Sequence, residues 1–131
     1  MTEEQKLEKG RALIIEDNDD NLVLISALLK QDGYAITFAM TGLAGLEMAL
    51  KEKPDLIILD IQLPDINGVE VLRRLRAQET TTPIPVIAMT SYAMAGDEER
   101  LMADGCTGYI EKPIDPMRVL GQIDQILEEN Q

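Results

Sequence analysis

The chain carries an unbroken apolar run, Leu56-Ile57-Ile58-Leu59, that ends on a carboxylate, Asp60, with Pro64 four residues on. A strand with one wet face alternates polar and apolar residues. A run without alternation fits a strand buried on both faces, as in a parallel sheet covered by helices on either side. Three further segments repeat the design. Ala12-Leu13-Ile14-Ile15 leads into Glu16 and Asp17, Pro85-Val86-Ile87-Ala88-Met89 into Thr90, and the short Gly108-Tyr109-Ile110 into Lys112-Pro113. Three acids, a hydroxyl and an ammonium thus fall at the carboxyl ends of strands, where open α/β sheets bind their ligands.

The rest of the pattern fills in helices between these runs. Strands are expected over Arg11–Glu16, Ala35–Ala39, Leu56–Asp60, Ile84–Met89 and Thr107–Glu111. A first helix, about Asp20–Gln31, places Leu22, Ile25, Leu28 and Leu29 at helical spacing, with Gly33 past its end. A second, about Gly42–Lys51, carries Leu43, Leu46, Ala49 and Leu50 as its apolar positions, and a third starts near Asn67 or Gly68 and carries Val71, Leu72 and Leu75. A fourth is about Gly96–Asp104, and a fifth follows Asp115, with Pro116 in its first turn, and runs to about Glu128. Five strands alternating with five helices through short loops make an α/β, doubly wound parallel sheet the expected architecture. Periodicity leaves the strand order open. Residues 1–10 read as a polar extension and 11–131 as one folded domain, in keeping with a length of 131 residues.

Composition excludes several roles. A net charge of −12 repels nucleic acid, whose binding runs on Lys and Arg neutralising phosphates. No apolar run reaches membrane-span length and no signal-peptide pattern opens the chain, so no membrane partner and a cytoplasmic location are expected. The single Cys fits a reducing compartment; Cys106, with no His anywhere to activate it, reads as a buried structural thiol. Aromatics at 3% and the absence of Trp leave a flavin-stacking carrier poorly supplied.

Glu16, Asp17 and Asp60 repel one another if their strands are neighbours, and a small hard cation with oxygen ligands, Mg2+ or Mn2+, relieves that repulsion. The Gln62 main-chain oxygen is a plausible further ligand. The competing reading is helix capping, since Asp17, Asp19 and Asp20 precede the first helix. Thr90 also suits a strand by propensity alone, Lys112 could be a solvated surface residue, and Tyr109 a half-buried strand aromatic.

Four pieces then coincide in order: Ile14-Ile15-Glu16-Asp17-Asn18, Leu59-Asp60-Ile61-Gln62-Leu63-Pro64 with Gly68, Ala88-Met89-Thr90-Ser91, and Tyr109-Ile110-Glu111-Lys112-Pro113-Ile114. Together they resemble a response-regulator receiver domain from Arg11 to Glu128, with a likeness to single-domain regulators of the DivK type and to receivers of hybrid histidine kinases. The resemblance implies a flavodoxin-like strand order 2-1-3-4-5. It implies that Asp60 is the phosphoacceptor, taking a phosphoryl group from a phosphohistidine on a histidine kinase or His-phosphotransfer protein. It implies Mg2+ (or Mn2+) held by Asp17, Asp60 and the Gln62 main-chain oxygen, with Glu16 acting through water. Lys112 would contact a phosphoryl oxygen across a cis Lys112–Pro113 bond, Thr90 and Ser91 would meet the phosphoryl group, and Tyr109 would move with Thr90. Gln62 and Tyr92 would tune hydrolysis, a bulky Tyr92 making it slow.

Output would pass to a protein target through helix 4, strand 5 and helix 5, the chain being a monomer or a weak phosphorylation-dependent dimer. Two departures stand out: Glu16 replaces the more frequent Asp, and Ile114 stands where an aromatic often follows Lys-Pro. A receiver cut from a hybrid kinase is an alternative. A Mg2+-dependent phosphohydrolase is another, but Gln62 stands where such enzymes carry a second acid. On this reading the chain is a signalling module rather than an enzyme, catalysing only its own phosphorylation and slow dephosphorylation.

Overall fold

In the computed structural model, which describes residues 9–91 and 97–130, five parallel strands form one sheet in the order β2-β1-β3-β4-β5. The strands are β1 (Gly10–Ile15), β2 (Tyr34–Ala39), β3 (Leu56–Asp60), β4 (Val86–Thr90) and β5 (Gly108–Glu111). The helices between and after them are α1 (Asp19–Gln31), α2 (Gly42–Glu52), α3 (Gly68–Ala77), α4 (Asp97–Ala103) and α5 (Val119–Glu129).

The apolar runs are explained by two cores, one on each face. Leu13, Ile15, Ile57, Leu59, Val86 and Ala88 point to the side covered by α2, α3 and α4. Their sequence neighbours Ala12, Ile14, Leu56, Ile58, Ile87 and Met89 point to the side covered by α1 and α5. Successive side chains alternate between faces and both faces are covered, so β3 and β4 are buried at every position.

Several boundaries differ from the sequence expectation for local reasons. Gly10, expected to close the extension, opens β1. Asn18, rather than Asp19 or Asp20, caps α1 by accepting the Asn21 amide at 3.0 Å; the two acids form its exposed first turn. Ile84 is buried but lies in a turn, its amide bonded to the Thr81 carbonyl at 3.1 Å, so β4 starts later and reaches Thr90. Asp115 accepts the Met117, Arg118 and Val119 amides, which makes a turn through Pro116 and delays α5 to Val119. On α2 the buried stripe is Gly42, Gly45, Leu46 and Ala49, while Leu43 and Leu50 are exposed. A Cβ on Gly45 would lie 2.5 Å from Ile15 Cδ1, so the glycine lets α2 settle against β1 on that stripe.

One side chain ties three segments together at the far end of the sheet. The Arg76 guanidinium donates to the carbonyls of Gly105, Thr82 and Ile84, each at 2.8 Å. It thereby joins the end of α3 to the loops before β4 and β5.

Candidate functional site

The order of the strands sets the site. The chain winds one way from β1 to β2 and the other way from β3 onward, so the gap beyond the carboxyl ends of β1 and β3 is the topological switch point. Parallel register pairs Ile15 with Leu59, so the next residues, Glu16 and Asp60, leave neighbouring strands at one level. Asp17 follows Glu16 and is exposed. One carboxylate oxygen from each of Glu16, Asp17 and Asp60 lies within 4.8 Å of the others.

Lys112 reaches this cluster from the far side. Its amide donates to the Thr90 carbonyl at 2.8 Å, which fixes the segment after β5 beside the end of β4. The Lys112–Pro113 peptide is cis. From there the Lys112 ammonium lies 3.1 Å from Asp60 Oδ1 and 3.2 Å from Glu16 Oε1. Its side chain is 13% exposed, against 2% for Glu16 and 4% for Asp60, so the pairing is poorly screened. Asp60 Oδ1 also accepts the Gln62 amide at 3.0 Å. Thr90 is buried at the end of β4 and Ser91 is exposed just beyond it. Tyr109, half-buried in β5, packs against the core shared by α2, α3 and α4. Tyr92 lies outside the described residues.

The donor set fits a hard divalent cation. Three carboxylates against one ammonium leave two negative charges when all are ionised. Both Glu16 oxygens are buried without a hydrogen-bond donor of adequate geometry. Every donor is oxygen, which suits Mg2+ or Mn2+ rather than a soft metal. The strain of this arrangement shows in Glu16: burial first, then the neighbouring Asp60, pushes its carboxyl up from 4.5 to about 7, against the pull of Lys112.

A carboxyl whose proton is held more tightly in the folded state stabilises the fold fully below its ordinary value, and that stability is lost as pH rises through about 7. At about 1.4 kcal/mol for each unit, this titration of the Glu16–Asp60 pair is worth up to roughly 3 kcal/mol. Glu16→Gln is therefore expected to gain melting temperature relative to wild type between about pH 5 and pH 8 in chelator, with Mg2+ narrowing the gap. Melting curves of the two proteins across that range check it; parallel curves would contradict the assignment.

Sequence reasoning passed over Asp65, whose carboxylate accepts the Gly42 and Leu43 amides at 2.8 and 2.9 Å. The available signal was indirect: α2 has no acid in its own first turn.

A doubly wound α/β domain with an acid-rich, lysine-bridged site at its switch point is the class these features define. The model of the response regulator receiver domain matches residues 12–124, and the chain belongs to that family, a signalling family of two-component systems. The polar-differentiation response regulator DivK of Brucella ovis is 44% identical over 115 residues, spanning 88% of this chain and 94% of that protein. The receiver domain of a sensor histidine kinase from Pseudomonas aeruginosa, solved with a magnesium ion coordinated in its active site cleft, is 30% identical with a TM-score of 0.81, covering 91% of this chain and 98% of that one. The chemotaxis response regulator CheY4 of Vibrio cholerae superposes with a TM-score of 0.84 at 26% identity, over 88% and 97% of the two chains. Among the described residues no helix is long and apolar enough to cross a membrane.

Proposed function

We propose that Asp60 accepts a phosphoryl group from a phosphohistidine of a histidine kinase or His-phosphotransfer protein. The observation that carries this reading is the ammonium of Lys112 held between two buried carboxylates, Asp60 and Glu16, beside the exposed Asp17. Lys112 and the Gln62 amide both meet Asp60 at Oδ1, and a carboxylate oxygen of Asp60 attacks phosphorus. The P–N bond breaks as the P–O bond forms, and the imidazole leaves with a proton from solvent. Lys112 transfers its attraction from the carboxylates to a phosphoryl oxygen, and the buried Thr90 hydroxyl and Ser91 donate to the others. Asp17, Asp60 and the Gln62 main-chain oxygen would hold Mg2+ (or Mn2+), with Glu16 binding it through water. That ion supplies charge neutralisation between nucleophile and phosphoryl group.

Tyr109 moves with Thr90 and shifts the population of two conformations of α4, β5 and α5. A groove of about 900 Å³ on that face, lined by Met102, Tyr109, Glu111, Gln122 and Ile126 among others, supports a protein target there. Residues Gln62 and Tyr92 make the loss of the phosphoryl group slow. The protein acts in the cytoplasm as a monomer or a weak phosphorylation-dependent dimer, with residues 11–131 as the receiver domain.

The test is exposure of the wild-type chain to acetyl phosphate, with Mg2+ and with chelator. An acid-stable, hydroxylamine-labile label that needs the metal is expected. No label, or a label indifferent to chelator, defeats the reading.

A further inference from the structure

The first turn of α2 is capped by two residues, and only one belongs to its own segment. Thr41, the N-cap, accepts the Ala44 amide at 3.2 Å. The amides of Gly42 and Leu43 are taken by Asp65, 23 and 22 residues further along, with one carboxylate oxygen each. A helix N-terminus presents unpaired N–H groups and partial positive charge, so a carboxylate there is held electrostatically as well as by hydrogen bonds. The Leu43 and Gly42 amides keep the Asp65 carboxyl below its ordinary value, so it is ionised when it caps.

Asp65 stands in the segment between β3 and α3, which begins just after Asp60. The near end of that segment is fixed by β4 and by α3. The Ile61 amide bonds to the Met89 carbonyl at 3.1 Å, and the Ile61 carbonyl accepts the Gly68 amide at 2.9 Å. Further along, Leu63 and Ile66 rest on the core, and a Cβ on Gly42 would lie 2.7 Å from Ile66 Cγ1. Those apolar contacts resist lifting but not sliding, because hydrophobic contact has no direction. The paired bonds of Asp65 have direction. They lock the segment in register with a rigid helix three residues after Gln62.

We propose that Asp65 is a positioning residue for phosphoryl transfer: it clamps the segment bearing Gln62 onto the N-terminus of α2 and so holds the Gln62 main-chain oxygen in place for the divalent ion. This rests on the role proposed for Gln62 and Asp60 above. Because coupling between two contacts is reciprocal, Mg2+ must in turn tighten the clamp. The Gly42 and Leu43 amides then exchange more slowly with solvent deuterium when Mg2+ is present.

The test compares wild type, Asp65→Ala, Asp65→Asn and Thr41→Ala. Thr41→Ala weakens the same helix end without touching the clamp, so it reports what lost capping alone does. Loss of a residue that orients a metal ligand typically costs about 10- to 100-fold in metal affinity. Calorimetric titration with Mg2+ is expected to show about a tenfold weaker affinity in Asp65→Ala and a smaller loss in Asp65→Asn, which keeps one acceptor oxygen. Thr41→Ala should stay within about twofold of wild type while melting earlier. Label from acetyl phosphate should slow in Asp65→Ala at low Mg2+ and recover at saturating Mg2+. The Mg2+ effect on Gly42 and Leu43 exchange should vanish.

Asp65→Asn keeps the comparison decisive if the alanine variant does not fold. Asp65 variants that bind Mg2+ as tightly as Thr41→Ala overturn the positioning role alone. A wild-type chain that neither binds Mg2+ nor takes label overturns the proposed function and this inference together.

Discussion

Asp60→Asn is expected to take no label from acetyl phosphate and Mg2+ while melting at a higher temperature than wild type in chelator. Both halves come from the same geometry. The amide is nearly isosteric, and its oxygen still accepts the Gln62 amide that Asp60 Oδ1 accepts at 3.0 Å. What is lost is the anionic oxygen that attacks phosphorus, so labelling should fall by at least about a thousandfold, the scale of losing a nucleophile outright.

What is gained is relief. Glu16 and Asp60 are buried beside each other with one ammonium between them. Removing the Asp60 charge lets Glu16 ionise freely against Lys112. Its carboxyl should then drop from about 7 toward its ordinary range, although burial, the larger cause, stays. A gain of about 1–3 kcal/mol is in proportion to a shift of one to two units. The gain should shrink when wild type is saturated with Mg2+, because the ion relieves the same repulsion. A variant that labels like wild type would move the nucleophile elsewhere, with Asp17 the first place to look. A variant that labels poorly but melts lower would leave the electrostatic account of the cluster without support.

Much of this was open to reading because the informative residues contradict their surroundings. Asp60 ends a run that is otherwise Leu and Ile, and Glu16 and Asp17 end another. A charge in such a place has no role in the strand, and both strands are indeed buried on two faces. Strand order is a different matter. Periodicity says which way side chains point, not which strand lies beside which, and the order 2-1-3-4-5 came through the resemblance.

The residues passed over share one property: their short hydrogen bonds go to main-chain atoms. Arg76 reaches the carbonyls of Thr81, Thr82, Ile84 and Gly105, and Asp65 accepts two amides. A carbonyl or amide leaves no mark in a sequence, so neither contact has a complementary residue to search for. Likewise Leu43 and Leu50 look like core on an average helix. They are exposed because the smallness of Gly42 and Gly45, not the size of the leucines, decides which side of α2 approaches the sheet.

Lys112→Met is the sharper probe of the site's electrostatics, because it keeps the stem and removes only the charge. With the ammonium gone, Glu16 and Asp60 face each other with no counter-charge among the contacts described for them. Breaking a buried ion pair by deleting one partner costs about 3–5 kcal/mol. In a domain of this size that is roughly 10–15 °C of melting temperature in chelator near pH 8. The cost should fall by about half near pH 6, since Glu16, already pushed up to about 7, then carries its proton and only one carboxylate is stranded. Saturating Mg2+ should recover much of the loss at pH 8, whereas it cannot supply a contact to a phosphoryl oxygen, so labelling or the response to it stays impaired. A packing defect would behave otherwise: it would cost the same at both pH values and ignore the metal. Equal losses at pH 6 and pH 8, unmoved by Mg2+, would mean that Lys112 serves the fold through its stem. The pairing at 3.1 and 3.2 Å would then be incidental to the chemistry of Asp60.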